Sequence, residues 1–530
     1  MLQLYGKPIF QIDGLDDDLA FEQVIDFSGG EDDYRRSTLI NKNQCQKLVN
    51  IIIRDNYEAW TRPGADLFAP QISPNPVQTL FYFDTPANKY LLSICNGKLA
   101  ACSGQNEPWQ NPATPYNASS AIDVVEIEQG IDSVLVSDGV NALAVMDGNL
   151  NLTVCTTGAY DPPVGMNILC WHTGRMFGAG FAANRDTVAV SDLLAIGNGS
   201  WNLTTRSFRV GAGDGDPIIA LHSMQGITLA VGKANSIWLV QTDPTAEPAN
   251  FQASTLAQSV SFGIGVVGKR AMCSVGNDLF FFSQDGVRSV QRMQAAANQW
   301  QLSAPISQPV QQYIDQINPN YRQIIQACSY KEFVFFAVPL NASTVNNAVL
   351  VYNSRLQAWL GCWTGWFPTA FAKTRFNSND QMVYADTAGN VYYWKDQLDS
   401  NNPTTYTDNG QNIACTIWTR SFQFSEAVNN KSAYACELRF TSGNSTCNLG
   451  AVMDLSQSIA WTEDFAVAGD ILGIGHLGPF QLASAKPVKV NKSLRSLPSF
   501  NEMYLSIQTN SGFFKLRNIT VAAFLDALNG

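Results

Sequence analysis

Histidine is nearly missing from this chain: His172, His222 and His476 are the only three in 530 residues, far apart and in no HExxH or paired-ligand spacing. That argues against a histidine-built metal centre or triad, which needs imidazoles at a defined spacing or beside a nucleophile. GxSxG is absent too, so no esterase elbow is indicated. Charge is scarce, at 15% of residues against the roughly 25% of an average soluble protein. The charge that exists is not basic: 33 Lys and Arg against 44 Asp and Glu leave a net −11. Tight, salt-sensitive capture of nucleic acid through phosphate neutralisation is therefore not expected, and the adjacent basic pairs Arg35-Arg36 and Lys269-Arg270 read as solvated or interface pairs. An acidic chain can still stand beside DNA that must slide and not be gripped. The eleven cysteines form no CxxC and no repeated spacing, so they read as reduced, buried thiols and not as a disulfide framework or zinc site. No apolar run is long enough to span a membrane, and the opening MLQLYGKPIFQIDGLDDDLA does not read as a secretory signal. Asp13, Asp16 and Asp18 lack the glycine and terminal glutamate of a calcium loop and read as a solvated acidic loop.

Hydrophobic residues make up 45% of the chain and aromatics 11%, ample material for a core. From about residue 76 they recur in short strand-turn-strand units. YLLSICNGKLAACSG (90–104), with its Asn96-Gly97 turn, is the clearest hairpin signal. The same plan recurs in 133–148, 175–192, 227–243, 278–291, 333–353 and 382–396. Seven units begin about 40 to 60 residues apart, the spacing of propeller blades. Tryptophans such as Trp171, Trp201, Trp238, Trp359 and Trp394 fall in or beside them, as expected where each blade packs an aromatic against the next. One helix is expected over 307–325, with Val310, Tyr313, Ile314 and Ile317 on one face, interrupting two blades. A polar linker, 397–412, precedes strands of a separate sandwich. The expected division is an N-terminal segment over 1–75, either an extended arm or part of the C-terminal platform, a mainly β propeller over 76–400, and a β-sandwich platform over 401–530.

Gly263, Gly265 and Gly268 in SFGIGVVGKR (261–270) match the GxGxxG of a dinucleotide fold, but residues 271–290 are punctuated like paired strands, and a pyrophosphate needs a helix N-terminus there. The loop reads as a glycine-rich β connection, with no cofactor. Ser283-Gln-Asp285-Gly286 falls short of the sialidase SxDxGxxW box. Asp214 and Asp216 in GAGDGDP have the composition of turn residues, and Trp359, Trp363 and Trp366 read as core aromatics before they read as a sugar-stacking shelf. No constellation asks for catalysis or a metal. The alternative to a structural role is a propeller that binds or hydrolyses host polysaccharide, resting on Asp214, Asp216 and the tryptophan cluster.

An ordered series of segments resembles the tail nozzle, or tail hub, proteins of short-tailed bacteriophages, also called tail tubular protein B or packaged-DNA stabilisation protein. The series is Thr61-Arg62-Pro63-Gly64, then 227–241, 261–290, 302–314, 348–359 ending at Trp359, and 382–394. Together these cover most of 225–396. The resemblance implies a virion protein made in the host cytoplasm, with no catalysis. It would form a homo-hexameric ring beneath the portal and head-tail adaptor, contact other tail proteins or fibres, and conduct and gate genomic DNA without sequence-specific binding. In that setting Arg62, Pro63, Gly64, Gly263, Gly265, Gly268, Gly286 and Trp359 are structural positions, Asp285-Gly286 is a hairpin turn, and Asp214, Asp216 and Asp285 are candidates for acidic channel loops.

Overall fold

The computed structural model describes residues 19–54, 56–120, 124–243, 256–297, 304–398, 403–424, 430–454, 459–468 and 488–525. Asp13, Asp16, Asp18 and His476 lie outside them. The chain divides into two compact units, Pro63–Leu398 with Asp408–Gln411, and Met1–Arg62 with Asp399–Thr407 and Asn412–Gly530.

The first unit is a β-propeller. Six separate antiparallel sheets of three or four strands are joined by a four-stranded meander, Gln326–Tyr330, Phe333–Val338, Ala348–Asn353 and Ala358–Thr364. The first strands of these seven sheets, from Val77–Asp84 through Glu126–Gly130, Ile168–His172, Ile218–Ser223, Met272–Val275 and Gln326–Tyr330 to Ala370–Phe376, lie each beside the next, and the last returns to the first. We number the sheets blades 1 to 7 in that order. Each expected strand-turn-strand unit is the second and third strand of one blade. The Asn96-Gly97 turn shows the local cause: Cys95 pairs with Lys98, and both turn residues take positive φ, 50° and 75°, the twist that a two-residue hairpin needs.

The circle is closed by the chain's own start. Ala65–Ala69 is the fourth strand of blade 7, paired with Val391–Trp394, so the expected boundary at residue 76 falls inside this unit. Fixing an early strand to the last blade removes the edge that an open ring would expose. Tryptophans hold blades 6 and 7 together: Trp394 packs edge-on to Phe333 and Phe335 at 5.7 and 5.5 Å, and Trp366 stacks on Tyr384 at 4.7 Å.

The expected helix over 307–325 is broken into Gln308–Val310, Gln311–Asp315 and Pro319–Ile324. Pro309 and Pro319 are the cause, since a proline lacks the N–H that would continue a helix and favours its first turn. The apolar face is nonetheless where the spacing put it: Val310, Ile314 and Ile317 are buried in the cluster shared with Phe282, Phe336 and Trp359. An additional helix, Val290–Ala297, precedes it, and the two stand where blade 5 has no fourth strand.

The second unit is β-rich and joins both ends of the sequence. Two 23-residue strands, Lys431–Met453 and Met503–Leu525, pair along their lengths. Their halves take different outer partners: Lys431–Met453 pairs with Val488–Ser493 through residues 435–440 and with Trp461–Ala468 through residues 444–451. Register shifts between Arg439 and Cys447 separate the halves, which is how bulges bend a long ribbon. N-terminal strands Leu19–Val24 and Ala59–Thr61 pair with Met503–Leu525, and Gln44–Val49 pairs with Cys415–Thr419. All eleven cysteines are buried and in no disulfide; burial pushes the Cys436 thiol up to about 12.

Candidate functional site: the propeller tunnel and its mouth

Each blade is an antiparallel meander, so the connection from one blade to the next emerges at the same end of the strands as the turn between second and third strands. That end is the mouth. The glycine-rich segment 261–270 is one such connection, from blade 4 to the first strand of blade 5, Met272–Val275. Its glycines are needed for close approach. A Cβ at Gly265 would lie 2.2 Å from the Lys233 carbonyl oxygen, and one at Gly268 would lie 2.5 Å from that of Gln323. The loop stitches three blades, with Val266 N–H donating to Lys233 O at 2.9 Å, Val267 N–H to Phe282 O at 3.1 Å, and Ala327 N–H to Arg270 O at 2.7 Å. A strand follows the loop, so no helix N-terminus faces it.

Gly263 sits in open space, whereas Gly286 opens the third strand of blade 5, packed against Ser307. Ser283 pairs with Gly286, so the two central residues of that hairpin are Gln284 and Asp285, one position earlier than the expected Asp285-Gly286 turn. Thr61-Arg62-Pro63-Gly64 spans the junction of the two units. Fully buried Arg62 donates from Nε to Asn50 Oδ1 at 2.9 Å, while Pro63 O accepts from Trp394 Nε1 and Gly64 O from Lys395 N–H. Trp359 is 2% exposed and donates from Nε1 to Ile306 O at 2.7 Å. Trp363 and Trp366 are fully buried, so the three tryptophans are core and cannot form a sugar-stacking shelf.

The three candidate aspartates all stand at the mouth, each tied to its own blade. Asp214 receives Lys233 Nζ at 2.7 and 2.6 Å, and Lys233 is completely buried. Asp216 accepts from Asn235 N–H at 3.0 Å and from Ser236 Oγ at 2.8 Å. Asp285 accepts from Ser283 Oγ at 2.6 Å and pairs with buried Arg288. Burial works to raise the Asp285 carboxyl, but Arg288 and Ser283 outweigh it and hold it below its usual value. Two of the three negative charges therefore face a cation a few ångströms away, which weakens the field they project.

Sequence reasoning missed the tunnel itself. All seven first strands contribute to a cavity of about 350 Å3 that carries Glu126, Glu128, His222, Lys269, Arg270 and Lys373. Arg270 Nη2 lies 3.6 Å from Glu126 Oε2 and donates to Val125 O at 3.3 Å. Glu128 accepts from Trp171 N–H at 3.1 Å; burial and the neighbouring Glu126 raise its carboxyl to about 7, against that hydrogen bond and Arg270. His222 shares a 2.7 Å hydrogen bond with Ser274 Oγ, and burial, helped by Lys373, pushes it down to about 4. At neutral pH the tunnel thus holds a neutral imidazole and one carboxyl able to gain or lose a proton. At roughly 30 Å3 per water it has room for about a dozen waters, far less than a nucleic-acid duplex. The sequence signal was charge inside otherwise apolar strands: EIE (126–128), LH (221–222) and AK (372–373).

Two cavities open at the mouth. One of about 400 Å3 lies among Asn167, Arg185, Lys269 and Gln323, with Phe181 and Val267 as apolar wall. The other, about 220 Å3, lies between blades 1, 6 and 7 and shares Gln326 with the tunnel. Among the described residues no group of three or more His, Cys, Asp or Glu side chains is arranged to hold a metal ion.

No family model matches the chain, and no curated protein does. Among solved structures it is similar to the computationally designed Ika8 protein, at 11% identity and a TM-score of 0.37 over 62% of this chain and 99% of that one. It is also similar to PorZ, a bacterial surface component of the type-IX secretion system of Porphyromonas gingivalis, at 12% identity and a TM-score of 0.36. That match covers 68% of this chain and 42% of PorZ.

Proposed function

We propose that this chain is a structural subunit of a short-tailed bacteriophage tail, the nozzle or hub. Copies form a sixfold ring below the portal and adaptor, and genomic DNA passes through the lumen of that ring. The observation that carries the reading is the ordered series of nozzle-like segments, most of which follow one another in chain order through blades 4 to 7. Its most distinctive members sit at structural joints: Gly265 and Gly268 where three blades meet, Arg62 to Gly64 where the chain leaves one unit for the other.

The duplex does not thread the propeller, whose tunnel is a cavity of only about 350 Å3. The channel is a property of the ring. A chain of net charge −11 repels phosphates from its walls, so DNA slides without being held by counterion release. Retention needs a constriction contributed by loops or by another tail protein. The test is genetic: a nonsense mutation in this reading frame, in the phage that encodes it, yields heads that package DNA but lack a nozzle and lose the genome. Infectious particles with intact tails would contradict the proposal.

A further inference from the structure

The smaller mouth cavity has an unusual lining. Among the described residues that line it, the polar groups are carboxamides and hydroxyls and no side chain is charged. Asn346 and Gln326, each 3% exposed, form part of its wall. Asn346 spends its Nδ2 on Ile324 O and Pro368 O, both at 2.9 Å, and leaves Oδ1 buried without a partner. The Gln326 carboxamide has no hydrogen-bond partner among the described residues. The Gln326 amide faces the cavity without a protein partner, a polar group that water or a ligand must meet. Thr387 and Asn96 add groups from the adjoining turns of blades 7 and 1, while Val77, Val124 and Ile324 supply an apolar side.

We propose that this cavity binds one neutral sugar residue, a hexose or N-acetylhexosamine at the end of a glycan. A sugar hydroxyl both donates and accepts, so one ring meets the amide N–H and the carbonyl oxygen of Gln326 together. Its C–H face suits the valine and isoleucine wall. Among the described lining residues a charged ligand would find no opposite charge to receive it, and a nucleobase no aromatic ring to stack on. The volume, about 220 Å3, is below the roughly 300–1,000 Å3 of sites for drug-sized molecules and suits a single ring. The walls are first strands and short turns of three blades, a rigid setting that keeps the groups in place without ligand. The site does not depend on the ring proposed above and involves none of the residues on which a polysaccharide-cleaving reading rested.

The test is saturation-transfer NMR on the full-length protein with glucose, galactose, mannose, N-acetylglucosamine and N-acetylgalactosamine, and with glucuronate and sialic acid as charged controls. At least one neutral sugar is expected to bind, with an affinity on the order of millimolar, and neither acid. Gln326→Met keeps the volume and removes the amide, weakening binding by about three- to tenfold. Thr387→Trp, from a half-buried turn position, fills the cavity and abolishes it. Thermal melts establish that the variants are folded, and if one is not, the other decides. Absence of transfer from every neutral sugar to the wild-type protein overturns the proposal, as does binding that survives both substitutions or an acid that binds as well.

Discussion

Asp214→Asn separates a channel charge from a structural one. The carboxylate accepts Lys233 Nζ through both oxygens, and the ammonium also donates to Val210 O at 3.0 Å. Lys233 has no exposed surface, while the Asp214 side chain keeps 30%. Asparagine retains an oxygen for the Asp216 N–H, which Asp214 accepts at 2.9 Å, so the loop keeps its turn and loses only the charge. Removing one partner of a fully buried pair costs about 3–5 kcal/mol, because the other charge is left in low dielectric. Discounted for the water that reaches Asp214, the cost is about 2–3 kcal/mol. For a unit of this size that lowers the propeller's calorimetric transition by about 3–4 °C. Adding Lys233→Met removes the stranded ammonium and should recover about 1 kcal/mol or more. A single variant within about 0.5 kcal/mol of wild type, the range of ordinary surface changes, would refute the reasoning. It would mean that the ammonium finds water or another acceptor and that Asp214 is a loop charge free for other work.

Gly265→Ala should destabilise the propeller by about 2–4 kcal/mol, since its Cβ meets backbone at 2.2 Å and the blade-4 turn must move. Gly263→Ala meets nothing within 4 Å and pays only for its positive φ of 81°, about 1–2 kcal/mol; equal losses in urea unfolding would show that Gly265 is not a close-approach joint. Glu128 gives a pH signature. Its folded carboxyl titrates near 7 against an ordinary 4.5, so across that window the folded protein holds a proton that the unfolded chain has released. Stability therefore falls as the pH rises from 4.5 to 7 and levels off above, by about 1–3 kcal/mol in all. Glu128→Gln, which still accepts from Trp171 N–H, should flatten this part of the stability profile, and an unchanged profile would place the titration elsewhere.

Most of the propeller was legible because the second and third strands of each blade are apolar, fully covered and joined by short turns, as in LFFFS (279–283) and FVFFAV (333–338). The first strands were less so: three of them, Glu126–Gly130, Ile218–Ser223 and Ala370–Phe376, carry charged or titratable side chains into the tunnel and so break the apolar pattern on which strand recognition rests. Ala65–Ala69 was missed as a blade strand since its partner, Val391–Trp394, is remote in sequence and nothing local marks that pairing. The aspartates were readable as turn residues. Their buried cations were not, because Lys233 ends an apolar strand, TLAVGK, in a place where a lysine is ordinarily exposed. The helix was placed correctly by its apolar spacing and overextended by neglect of Pro319, which starts a new turn capped by Asn318.

The most direct measurement is cryo-electron microscopy of the virion that carries this chain. The account predicts six copies in a ring at the tail, around a lumen wide enough for duplex DNA, each copy holding a seven-bladed propeller. A monomeric or threefold spike, or a virion without the chain, would contradict it.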